Sequence, residues 1–378
     1  MKLFDIKPEI MYGENSIEKL QTISFGKVCI VTDKRIGELG LLKILTDILD
    51  AKKVNYQIFF EVVPDPTTAV IEKGLMSIIQ FKPDALIAIG GGSSIDTAKA
   101  IIYYCIKLKE NFIKENTIEK PYFIAIPTTA GTGSEVTEYA VITNSDTLVK
   151  TPIADKIMLP DLAILDPQFT LSAPDFITAD TGMDALTHSI EAYVSRNANE
   201  FSDAYALQSI KLIYENLLTT YKDGSNMTGR DKLMIASCMA GISFNNSSLG
   251  INHSIAHTIG SNFHLPHGKS NAIILPYVIE YNMKDPRATK RYSEIAIHVG
   301  LDFKDIKINA QSLAESIKML NKALGIPGNL TEAGIDKSLV IDKLDSLALQ
   351  AMKDMCTSGN PIKPSIDDLK SIFLTLVN

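Results

Sequence analysis

Up to Asp175 the chain alternates short apolar runs rich in branched residues with longer stretches of helical spacing, and beyond it the short runs cease. Val28-Cys29-Ile30-Val31-Thr32 reads as a strand followed by a leucine-rich helix, and Gln57–Phe60, Ala85–Ile89 and Tyr122–Ile126 read as three more strands. Apolar runs without polar alternation are buried on both faces, as parallel strands are. Pro64-Asp65-Pro66-Thr67 opens the helix after the second strand, because proline is tolerated near a helix start. Val141–Asp146 ends in turn residues and Ala163–Pro167 is closed by proline, so a hairpin and a finishing strand are expected to complete the sheet. From Ala173-Pro174-Asp175 onward helical spacing dominates, interrupted by turn-forming residues at Asp223–Asn226, Leu265–Gly268, Lys284–Pro286 and Gly325–Gly328. The predicted fold is α/β plus all-α: an N-terminal open parallel-sheet domain over residues 1–178, then an α-helical domain over 179–378.

Composition narrows the partners. A chain of 378 residues, 46% of them hydrophobic, is long enough for two cores. A net charge of -7 with no Lys/Arg run argues against nucleic acid. No apolar run approaches membrane-spanning length, and charges stand in Met1–Pro8 where a signal peptide would be apolar, so a cytoplasmic protein with no membrane partner is expected. Cys29, Cys105, Cys238 and Cys356 are scattered with no C-x-x-C, which points to reduced, packed thiols.

Two clusters carry chemistry. Four of the six histidines, His253, His257, His264 and His267, lie close together, and Asp184 and His188 stand upstream at i, i+4. On a helix that spacing puts a carboxylate and an imidazole on one face, able to hold an ion with imidazoles from another helix. Three imidazoles and a carboxylate suit Fe2+ or Zn2+ better than Mg2+ or Ca2+. A His-x3-His pair alone is equally two packed histidines; the aspartate pair and a second signature give it meaning. That second signature is Ala85–Ile89 running into Gly90-Gly91-Gly92-Ser93 and a helix. Glycines there let backbone N–H groups approach a ligand, and the helix N-terminus favours a pyrophosphate, so the first domain is read as dinucleotide-binding and the second as metal-binding. Sites on two domains are expected to face a common cleft. A dinucleotide and a Lewis-acid metal together suggest hydride transfer at the nicotinamide C4.

Gly-Gly-Gly-Ser-x-x-Asp-x-Ala-Lys at 90–99, Pro127–Thr137, Pro160–Pro167, Gly182–His188 and His253–Gly268 resemble the iron-containing (group III) alcohol dehydrogenases, in order and over essentially the whole chain. The wording around Phe263–Gly268 is most similar to the short-chain primary alcohol dehydrogenases acting on propanol, butanol or 1,3-propanediol. The resemblance implies a shell of Asp184, His188, His253 and His267, with His257 beside the metal and catalytic as a proton relay, or else a partner orienting a ligand. It places Asp33 on the adenosine ribose, where a carboxylate favours NAD(H) over NADP(H), although Lys34 and Arg35 follow directly. Gly91, Gly92 and Ser93 would hold the pyrophosphate, Thr128, Thr129 and Thr132 would line the adenine and phosphate channel, and Lys150 would reach the nicotinamide ribose. Asp65 is a further cofactor contact, standing where relatives often carry Asn. Expected partners are Fe2+ (Zn2+ accepts the same shell), NAD(H), a small alcohol or aldehyde, and further copies of the chain as a homodimer or larger homo-oligomer, in the cytoplasm or a bacterial metabolic compartment. A zinc polyol dehydrogenase, a dehydroquinate synthase-like enzyme and a silent metal-binding scaffold are the alternatives.

Overall fold

The computed structural model describes residues 3–112, 119–146 and 150–378; Met1 and Lys2, which head the expected first domain, lie outside the described residues. The chain divides into two compact units, Asp5–Ala173 and Pro174–Asn378, and Phe4 belongs with the second, stacked on Phe201.

The first unit runs β1 (Glu9–Tyr12), β2 (Lys27–Val31), α1 (Lys34–Glu38), α2 (Leu41–Ala51), β3 (Asn55–Phe59), α3 (Thr68–Phe81), β4 (Ala85–Gly90), α4 (Gly92–Phe112), β5 (Tyr122–Pro127), β6 (Tyr139–Thr143), β7 (Lys150–Ala154) and β8 (Leu162–Leu165). A six-stranded sheet has the order β1-β8-β5-β4-β2-β3, with every pairing parallel. Strand alternation sorts side chains into two cores. Val28, Ile30, Ile87, Ile89, Ile124 and Ile126 pack with Leu41, Leu45 and Leu49 of α2. Their neighbours Cys29, Val31, Leu86, Ala88, Phe123 and Ala125 pack with Ile71 of α3 and Ile95, Ala98 and Ile101 of α4. Helices on both faces explain why the buried positions of these strands are all apolar, and Cys29 is a packing residue as expected.

One expectation about the sheet is corrected. β6 and β7 pair antiparallel with each other as a separate two-stranded sheet and do not extend the main one. They are tied instead to the start of α3, where the Thr143 amide donates to the Pro66 carbonyl at 2.8 Å and the Thr68 hydroxyl donates to Ser145. The finishing strand, β8, does join the main sheet, between β1 and β5. The edge belongs to β1, a four-residue strand that is only half-buried and so leaves no apolar run to read.

The second unit contains α5 (Asp175–Val194), α6 (Glu200–Lys222), α7 (Met227–Ser247), α8 (Ile251–Phe263), α9 (His267–Asn282), α10 (Pro286–His298), α11 (Ile306–Ala323), α12 (Lys337–Asp342), α13 (Leu344–Lys353) and α14 (Ile366–Thr375), with no strand among the described residues. Two of the expected breaks end in residues that cap the helices that follow. Asn226 accepts from the Gly229 amide at the start of α7, and Asp285 accepts from Ala288 ahead of Pro286 at the start of α10. From Thr178 to Val194 every residue of α5 except Thr181 is buried, so this helix is the centre of the unit, packed by α6, α7 and α9. Among the described residues no helix is long and apolar enough to cross a membrane. All four cysteines are buried, and none is in a disulfide.

Candidate functional site

Asp184 and His188 project from α5, His253 and His257 from α8, and His267 is the first residue of α9. One ligand atom from each of Asp184, His188, His253 and His267 lies within 4.8 Å of the other three. Asp184 Oδ1 is 3.9 Å from His253 Nε2 and 3.5 Å from His267 Nε2. A tetrahedral shell with bonds of about 2.1 Å has donor separations of about 3.4 Å, so the set fits a small divalent ion with little movement. Asn271 Nδ2 lies 2.7 Å from Asp184 Oδ1 and 3.1 Å from both His253 Nε2 and His267 Nε2. That amide nitrogen carries two protons and faces all three atoms, so the three surround one point. His188 is held by stacking between Phe244 and His253, with centroids 4.5 Å apart on each side. His253 is fully buried, and burial together with the neighbouring imidazoles keeps it neutral, its pKa well below the usual 6.5. A neutral imidazole is the form that binds a metal.

His267 reaches this cluster because Gly268 follows it. A Cβ on Gly268 would stand 2.2 Å from the Asp180 carbonyl of α5, so only glycine lets α9 begin this close to α5.

His257 is set apart from the four. Its Nδ1 is 2.8 Å from Asp354 Oδ2, and its ring lies parallel to His267 with centroids 5.2 Å apart. Burial alone would raise the Asp354 carboxyl, but the His257 hydrogen bond and charge and the Cys356 amide bring it down to about 2. Cys356 completes a second grouping of possible donors with these two. Burial, then the carboxylates of Asp354 and Glu191, hold its thiol well above the ordinary value, which disfavours the thiolate a metal needs. Asp354, Asn271 and Glu191, which touches His253 Nδ1, are the site residues that the sequence reading missed.

In the first unit the glycine turn lies between β4 and α4. Gly90 has φ 152°, and a Cβ there would be 2.2 Å from Ser94 Oγ and 3.8 Å from Asp33 Oδ2, so Asp33 stands directly over the turn. Asp33 Oδ1 caps α1 by accepting from the Ile36 amide at 3.1 Å. A Cβ on Gly91 would meet Thr129 Oγ1 at 3.4 Å, and one on Gly92 would meet the Thr132 methyl at 2.8 Å. The structure thus brings Asp33, Gly91, Gly92, Thr129 and Thr132 together. Ser93 follows in the first turn of α4. Thr128 is buried, its amide bonded to the Gly90 carbonyl at 2.9 Å, so it joins the two segments. Asp65 and Lys150 form a grouping of their own, an ion pair at 2.6 Å. Lys99, fully buried, donates to Ser134 Oγ, Thr137 Oγ1 and the Tyr139 carbonyl, at 2.8, 3.1 and 2.8 Å. It is no phosphate clamp: it ties α4 to the threonine segment, and burial lowers its pKa to about 8.

The family description "Iron-containing alcohol dehydrogenase" matches residues 7–167, and "Fe-containing alcohol dehydrogenase family, C-terminal" matches residues 178–377. The chain belongs to the iron-containing alcohol dehydrogenase family. Within that family it is 38% identical to the NADPH-dependent butanol dehydrogenase of Clostridium saccharobutylicum, over 99% of this chain and 97% of the relative. It is 39% identical to the aldehyde-alcohol dehydrogenase of Streptococcus pneumoniae, but 99% of this chain there covers 46% of the relative, so it spans about half of such proteins. The iron-containing alcohol dehydrogenase of Thermococcus thioreducens superposes with a TM-score of 0.90 at 33% identity, covering 99% of both chains.

Proposed function

We propose that the protein is a metal-dependent, NAD(H)-linked alcohol dehydrogenase and aldehyde reductase for short-chain primary alcohols and aldehydes. The observation that carries this reading is the convergence of one carboxylate and three imidazoles on one point, in a chain that also has a glycine turn at a helix N-terminus. Asp184, His188, His253 and His267 would hold an Fe2+ or Zn2+ ion, which would supply Lewis acidity toward the substrate oxygen, and Gly91, Gly92, Ser93, Thr128, Thr129 and Thr132 would hold the NAD(H) that would carry the hydride. His257 moves the proton: Asp354 keeps its Nδ1–H, which leaves Nε2 as the working nitrogen. Asp33 receives the ribose 2′-hydroxyl through Oδ2, and its charge opposes a 2′-phosphate. Lys150, paired with Asp65 at 2.6 Å, would reach the nicotinamide ribose, with Asp65 as a further cofactor contact. The name of the butanol dehydrogenase supports both a nicotinamide carrier and a C4 substrate, and makes NADPH the alternative to be tested. We further infer a homodimer or larger homo-oligomer, in the cytoplasm or a bacterial metabolic compartment. An anaerobic steady-state screen of C2 to C4 aldehydes with NADH and NADPH, on protein of measured metal content, tests the reading. Turnover of none of them by metal-loaded protein would overturn it in favour of a silent scaffold.

A further inference from the structure

We propose that Glu191 is a positioning residue of the metal site: its buried carboxylate accepts the Nδ1 proton of His253 and turns the Nε2 lone pair of that ring toward the point shared by Asp184, His188 and His267. The proposal rests on reading those four residues as a metal shell and extends it to a side chain that is not a ligand.

Asp184, His188 and Glu191 stand at i, i+4 and i+7, along one face of α5. Glu191 is 3% exposed, and a carboxylate so buried is costly unless its oxygens are matched. Both are. Oε2 faces His253 Nδ1, and Oε1 accepts from the Asn252 amide at 2.8 Å. α8 starts at Ile251 with no side-chain cap of its own, so this helix, which carries His253, is capped by a carboxylate from the helix that carries Asp184 and His188. The pocket is built for that reach: a Cβ on Gly250 would stand 2.8 Å from Glu191 Oε1.

The direction of the Glu191–His253 hydrogen bond follows from the metal reading of Nε2. Asn271 Oδ1 accepts from Asn252 Nδ2 at 2.9 Å, and its Nδ2 lies 3.1 Å from His253 Nε2, at the point where the four ligand atoms converge. With Nε2 given to the metal, the one proton of the neutral ring sits on Nδ1, and Glu191 is the acceptor. A cap for α8 needs only one oxygen. The second oxygen fixes tautomer and ring orientation and makes His253 a stronger donor, and partners of this kind contribute about 10- to 100-fold in metal affinity.

The test compares wild-type protein, Glu191→Gln and His267→Ala, stripped of metal and titrated with Zn2+ and Co2+ against a competing chromophoric chelator. Unfolding of each metal-free protein is followed in parallel. Glutamine keeps one carbonyl for α8 but meets a donor with a donor at its other atom. Expected is ion binding by Glu191→Gln weakened about 10- to 100-fold with a shifted Co2+ ligand-field band, while metal-free unfolding stays within a few degrees of wild type. Unchanged affinity and spectrum overturn the proposal, as does an affinity loss that only accompanies collapse of the metal-free fold. Should the glutamine chain not be recovered folded, Glu191→Asp, which keeps the charge but withdraws it from the ring, is read by the same two criteria. Wild-type protein that binds no ion overturns the metal reading itself and this proposal with it.

Discussion

His257 and His267 are stacked imidazoles 5.2 Å apart, yet their partners assign them different work. His267 points Nε2 at Asp184, whereas His257 gives Nδ1 to Asp354. Replacing His267 by Ala should strip the metal and turnover together. His257→Ala should keep the metal and lose about 10²-fold in kcat, the usual scale for a positioned acid or base. Elemental analysis of the two proteins prepared side by side decides it; equal metal loss would make His257 a ligand. At the nucleotide turn, Asp33 has two oxygens with two tasks, one capping α1 and one standing over Gly90. Serine keeps a capping oxygen and removes the charge, so Asp33→Ser should raise the NADPH to NADH ratio of kcat/KM without unfolding the chain. An unchanged ratio would remove Asp33 from the ribose.

Between elements, the start of α9 is pressed against α5 at Gly268, where a Cβ would lie 2.2 Å from the Asp180 carbonyl. Backbone cannot yield as a flexible side chain can, so Gly268→Ala must push α9, with His267 on its first residue, away from Asp184. Metal affinity and thermal stability should both fall, by an isothermal metal titration and an unfolding scan, whereas a Gly260→Ala control, in helical backbone, meets only an ordinary contact of 3.6 Å with the Leu265 carbonyl. A Gly268→Ala protein with wild-type affinity would show the contact to be compliant. The same elements explain what the sequence could reveal. The Asp184–His188 pair was legible because an i, i+4 face is a local property, and the glycine turn because it interrupts an apolar run. Glu191, Asn271 and Asp354 were not, since each acquires its meaning from a histidine on another helix. Glu191 did stand in plain sight at i+7 of the same face. β1 and the separate β6–β7 sheet escaped for a related reason: pairing partners are chosen by tertiary contact, and short half-buried strands carry no pattern that names them.

At the scale of the whole molecule, the buried Glu135 and Lys99 lie in one unit and the four converging donors in the other. In the first unit Glu135 is buried beside Lys99, and burial pushes its carboxyl from 4.5 up to about 7 despite the opposing pull of its backbone amide and Lys99. A raised folded-state value means stability that is complete below about pH 4.5 and lost as pH rises through 7. Glu135→Gln has no proton to lose, so its unfolding temperature should gain on wild type between about pH 5 and pH 8; a constant difference would show that Glu135 does not titrate there. The candidate ligand groups divide along the same line. The four converging donors all lie in Pro174–Asn378, and the glycine turn with Asp33 lies in Asp5–Ala173. Chelation should therefore abolish aldehyde reduction while NADH still binds, seen as retained quenching or enhancement of its fluorescence, and Fe2+ added without oxygen should restore turnover. If the metal-free protein reduces aldehyde at the full rate, the metal has no part in the chemistry. If it loses NADH binding as well, the turn at Gly90–Ser93 is not an independent nucleotide site, and the assignment of metal and cofactor to separate units fails.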